Sequence, residues 1–102
     1  MKTVTIADAR RFSLDQVQRS DLGSHPDLSV ELLCFEAGQS LDGLGTAGTV
    51  VYQVLEGEAL LRTAAERVRV GKGKLTSVLA GEQHAIENAG GGLLVVLATA
   101  AR

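Results

Sequence analysis

The chain has 102 residues, 45% of them apolar, and a formal net charge of −2, which fits one folded domain around one core and excludes wholesale disorder. Only Phe12, Phe35 and Tyr52 are aromatic and the basic residues are scattered, so neither a stacking platform for single strands nor a phosphate-neutralising patch is present, and no nucleic-acid partner is expected. Cys34 is the one cysteine, which excludes an internal disulfide framework.

No long apolar run follows Met1, and the longest strongly apolar stretch, Leu93 to Ala98, is too short to cross a bilayer as a helix. No membrane partner and a cytoplasmic location are expected. An apolar strand is expected around Val4 and Ile6. Ser13 to Gln18 reads as a short helix or an irregular arm, with Ser13 and Gln16 spaced as a capping box. Residues 1–28 are read as an N-terminal arm with the first strands of a domain spanning 1–102. Gly23 to Asp27 is a loop of structure-breaking residues, and Ser29 to Phe35 is a mainly apolar strand. Ala37 to Gly48, with four glycines, reads as a connection.

Strands are then predicted at Val50 to Leu55, Ala59 to Thr63, Glu66 to Val70, Leu75 to Leu79, His84 to Glu87 and Leu93 to Thr99, with glycine-bearing turns at 56–58, 71–73 and 88–92. Glu66 to Val70 alternates, with Val68 and Val70 on one side and Arg67 and Arg69 on the other, as a half-buried strand does. Many short strands between turn signals predict an all-β sandwich or barrel. Periodicity alone leaves jelly roll, immunoglobulin-like sandwich and other barrels open.

Residues 73–88 read GKLTSVLAGEQHAIEN. Gly73, Gly81, His84 and Asn88 are spaced as in the second sequence motif of the cupin family, with Leu79 where that motif has proline. Upstream, Gly38 and Gly57 match the glycines that open and close the first cupin motif. The chain thus resembles a small cupin of the cupin 2 type over roughly Val30 to Thr99. The resemblance implies a jelly-roll β-barrel, also described as a double-stranded β-helix, and pairing as a homodimer. It also implies that His84 descends from one ligand of a four-ligand metal site. The other three positions of that site fall on Leu44, Thr46 and Val50, and between Ser40 and Val54 only Asp42 carries a carboxylate and no His, Glu or Cys occurs.

Divalent first-row metals need imidazole, carboxylate or thiolate groups converging on one point, so no metal and no cofactor are expected in the inherited position. His25 and Cys34 are the remaining candidates to join His84 in a non-standard site, but their spacing does not require it. Strand parity places Val50, Tyr52 and Val54 on one face, taken as the interior. Cys34 shares a face with Val30 and Leu32 and reads as a small buried hydrophobe; His25 reads as a solvated loop residue.

The expected function is a metal-independent module that holds an unidentified small molecule in a mainly apolar barrel mouth, with His84, Tyr52, Thr46, Leu44 and Val50 as ligand-binding residues and no catalytic residue assigned. Such a pocket favours apolar or neutral ligands. The alternatives are a cupin-type dioxygenase or isomerase with an unusual ligand set, a metal-free isomerase using His84 as base, and a structural or regulatory dimer. For the metal-free isomerase no second group that would stabilise developing charge is legible in the sequence.

Overall fold

The computed structural model describes Met1 to Arg102. Nine strands follow one turn of 3₁₀ helix at Ile6–Ala9: β1 (Gln18–Ser24), β2 (Leu28–Phe35), β3 (Ser40–Leu44), β4 (Val50–Glu56), β5 (Glu58–Thr63), β6 (Arg67–Gly71), β7 (Leu75–Val78), β8 (His84–Asn88) and β9 (Leu94–Ala101). They form a five-stranded sheet in the order β1-β2-β9-β4-β7 and a four-stranded sheet in the order β3-β8-β5-β6. Every strand pairing is antiparallel. The chain therefore forms two facing antiparallel sheets, the jelly-roll arrangement.

Alternation explains which side chains fill the space between the sheets. Leu33 and Phe35 of β2, Val50, Tyr52 and Val54 of β4, and Leu94, Val96 and Ala98 of β9 point inward and meet Ala59, Leu61, Val70 and Ile86. The intervening residues Leu32, Cys34 and Val95 point the other way and are equally buried, because Ile6, Ala9 and Phe12 of the N-terminal arm lie over them. This double coverage is why β2 and β9 read as continuous apolar runs rather than as alternating ones. Burial pushes the Cys34 thiol above its ordinary range, which disfavours the reactive thiolate.

The structure chooses between two readings and corrects two expectations. Ser13 to Gln18 is the irregular arm and not the helix: residues 14–16 form a bend, the Ser13 hydroxyl accepts a hydrogen bond from the Asp15 amide at 3.1 Å, and Gln18 opens β1. The segment around Val4 and Ile6 is not a strand but leads into the 3₁₀ turn, and its apolar side chains cap the outer face of the large sheet instead of extending it. The glycine-rich connection contains β3, which pairs with β8 through Ser40, Leu41 and Leu44, with an irregularity between Leu41 and Leu44 where Gly43 takes φ +65°. Both overlooked strands, β1 and β3, are sheet edges. Edge strands carry polar and charged residues that discourage further pairing, and so lack the apolar signature of central strands.

Candidate functional site at the barrel mouth

One end of the space between the sheets opens into a cavity of about 380 Å³. Four of the five expected ligand-binding residues line it: Leu44, Thr46, Val50 and Tyr52. Leu44 and Thr46 reach it because β3 ends in the Gly43 kink, Val50 and Tyr52 because they face inward from β4. Ala98 and Ala100 of β9 stand beside Tyr52 and Val50 across the β4–β9 ladder, and their small side chains leave the space open. The Thr46 hydroxyl donates to the Gly48 carbonyl, so its proton is committed within its own turn.

His84 is not on the cavity wall. It is buried next to Tyr52, with Nε2 at 2.6 Å from the Tyr52 hydroxyl and Nδ1 at 2.9 Å from the Glu82 carbonyl. A carbonyl can only accept, so Nδ1 carries the ring proton. In the neutral imidazole Nε2 is then the acceptor, and the Tyr52 hydroxyl donates to it. Burial pushes the Tyr52 phenol up to about 12, which extends the pH range over which it keeps that donor proton. The contact joins the two sheets, since Tyr52 lies in the large sheet and His84 in the small one.

A charged pair at the same mouth went unrecognised in the sequence. Arg19 of β1 and Glu31 of β2 line the cavity together with Ser29. The Arg19 guanidinium meets both Glu31 carboxylate oxygens, at 2.5 and 3.3 Å, and that contact raises the Arg19 pKa. The expectation of a mainly apolar pocket is therefore corrected: one edge is apolar and the opposite edge is ionic. A signal was available in principle. A hairpin about the Gly23 to Asp27 loop sets Arg19 opposite Leu33 and Asp21 opposite Glu31, which makes Arg19 and Glu31 diagonal neighbours on one face. Reading residues 13–18 as helix or arm concealed that hairpin.

No family model matches the chain, and no curated protein does. Solved structures do. A Thermus thermophilus protein superposes with a TM-score of 0.89 at 21% identity, covering 100% of this chain and 99% of its own. A cupin superfamily protein from Desulfitobacterium hafniense gives 0.85 at 22% identity, covering 98% of this chain and 90% of its own. A Klebsiella pneumoniae protein described by its double-stranded β-helix domain gives 0.90 at 17% identity, covering 99% and 90%. The fold is that of the cupins.

Cupin metal sites place their ligands in this barrel, but the donors here do not fit one. The positions that the resemblance matches to three ligands hold Leu44 and Val50, which have no donor atom, and Thr46, whose neutral hydroxyl is a poor ligand for a divalent first-row metal. The one remaining imidazole has its Nε2 lone pair occupied by Tyr52. No group of three or more His, Cys, Asp or Glu side chains is placed to hold a metal anywhere in the chain. Cys34 lies on the outer face of the large sheet, under the arm, and His25 lines a groove on that same outer side with Val4, Leu22 and Leu97. The sheet separates both from His84.

Burial of the Tyr52 phenol makes a pH prediction. At pH below 10, the ordinary phenol value, folded and unfolded chains both carry the neutral tyrosine. Between 10 and about 12 the unfolded chain releases a proton that the folded chain retains, so stability declines as pH rises across that window. Tyr52→Phe is expected to remove this part of the decline. It also strips the buried Nε2 of its partner, at a cost of about 1–2 kcal/mol near neutral pH. Urea midpoints of both proteins between pH 8 and 12, on the side of the curve above neutrality, check both statements; parallel alkaline limbs would contradict the first.

Proposed function

We propose that the chain is a metal-independent small-molecule binding module whose ligand occupies the barrel mouth. The observation that carries this reading is the cavity itself: about 380 Å³, within the size range of small-ligand sites, walled by both sheets and holding few, convergent polar groups. The occupied lone pair of His84 supports the metal-independent part of the reading. A larger groove, about 550 Å³, lies between the open edges β1 and β3, but its walls are mostly polar side chains of residues 15–19 and 39–41. It lies more open to solvent than the barrel mouth and so encloses a small ligand less.

The experiment is amide-shift mapping of isotope-labelled protein against a diverse set of neutral small molecules. Binding in the mouth is expected to move the amides of Thr46, Val50, Tyr52 and Ala98 together. Ala100→Leu, which fills the cavity from a partly buried position packed against the core, is expected to abolish those shifts while leaving the rest of the spectrum in place. Shifts confined to the outer face, or unaffected by Ala100→Leu, would reject the barrel-mouth site.

A further inference from the structure

Building on the barrel-mouth reading, we infer that its ligand is a neutral molecule presenting an amide-type edge, a carbonyl oxygen beside an N–H, to the Arg19–Glu31 pair. The charge inventory comes first. Among the residues lining the cavity, Arg19 and Glu31 are the oppositely charged pair, and the other titratable side chain, Tyr52, is the neutral phenol. The wall therefore carries no net charge. An anion drawn to Arg19 meets Glu31 alongside, and a cation drawn to Glu31 meets Arg19, so neither gains the full attraction of an unpaired partner.

The hydrogen-bond inventory then selects among neutral ligands. Arg19 uses Nε and one terminal nitrogen on Glu31. A guanidinium has five N–H groups, so donors remain free beside the pair. Each Glu31 oxygen accepts one of those bonds and has a second lone pair. A side-on pair of this kind thus sets a free donor next to a free acceptor. The Tyr52 hydroxyl adds an acceptor only, because its proton goes to His84. Ser29, whose hydroxyl is engaged by no other side chain or backbone group, adds a group of either sense. Lactams, cyclic ureas and other planar amides match this row with one carbonyl and one N–H, while Leu44, Val50, Ala98 and Ala100 face the carbon skeleton. Ketones, esters and hydrocarbons leave Glu31 unanswered on that edge.

The test uses γ-butyrolactam, γ-butyrolactone and butyrate as probes, titrated into the full chain and its Glu31→Gln variant by amide-shift NMR. The lactam and lactone share ring size and carbonyl and differ in the N–H. The lactam is expected to bind about tenfold more tightly than the lactone, with shifts at Arg19, Glu31 and Ala98, and more tightly than butyrate. In Glu31→Gln, Arg19 is no longer neutralised, and the preference is expected to reverse in favour of butyrate. A structural role alone for the pair would not reverse a ligand preference. Lactam and lactone binding equally in the mouth would overturn the ligand class and leave the binding module standing. An absence of mouth shifts with every probe and with the diverse neutral set would overturn both.

Discussion

Gly57→Ala is expected to lower stability by roughly 3–5 kcal/mol. Gly57 links β4 to β5 with φ +85°, and a Cβ there would sit 2.3 Å from the Leu93 carbonyl oxygen and 3.1 Å from the Leu94 Cα. Two costs add. The left-handed conformation costs an L-residue about 1–2 kcal/mol. The contact is with backbone, so relief requires moving the start of β9, a central strand of the large sheet, rather than rotating a side chain. Gly38→Ala separates the two costs, because Gly38 has φ +79° but nothing within 4 Å of the added methyl. It should show the conformational cost alone. Urea midpoints of the two variants measure the difference; equal losses would mean that the close approach to Leu93 contributes nothing.

Asn88→Ala is expected to cost roughly 2–4 kcal/mol through hydrogen bonds, not through ligand contact. Asn88 is buried at the end of β8. Its two Nδ2 protons are matched by the Glu36 carbonyl at 3.0 Å and the Gly92 carbonyl at 2.8 Å, and its Oδ1 accepts from the Gly90 amide at 3.1 Å. One side chain thus joins the end of β2 to both sides of the turn between β8 and β9. Asn88→Asp keeps the acceptor, removes both donors and adds a buried charge, so it should be at least as damaging as Ala. The check is denaturant unfolding of both variants. A destabilised Ala variant beside a stable Asp variant would contradict the assignment, since it would place the essential bond on Oδ1.

These two positions show what was legible in the sequence and why. Gly57 and Asn88 belong to the spaced residues on which the cupin resemblance rests, and the structure gives each a local physical reason that spacing alone reports only as a pattern. The central strands were legible because burial on two faces leaves a dense apolar run, as in Leu32–Phe35 and Leu94–Val96. The edges β1 and β3 were not, because exposed pairing strands are polar by need. Parity put Val50, Tyr52 and Val54 on the inner face, as the structure has them. It could not show that Tyr52 reaches His84, 32 residues later and in the other sheet, since that contact depends on how the sheets face each other. Arg19 and Glu31 stayed hidden for a related reason: an inward charge on the edge strand β1, or at the half-exposed start of β2, has the same sequence appearance as a solvated one.

The metal-independent reading rests on the side chains at Leu44, Thr46 and Val50, on the absence of any cluster of three His, Cys, Asp or Glu donors, and on the Tyr52 proton held by His84 Nε2. Elemental analysis of protein prepared without an affinity tag, incubated in turn with iron, manganese, nickel and zinc and then desalted, tests it most directly. The expected result is metal well below one atom per chain, and no more in the wild type than in His84→Ala. Close to one atom per chain, lost in His84→Ala, would show that a metal displaces the tyrosine proton and recruits ligands absent from this arrangement, and would contradict the account.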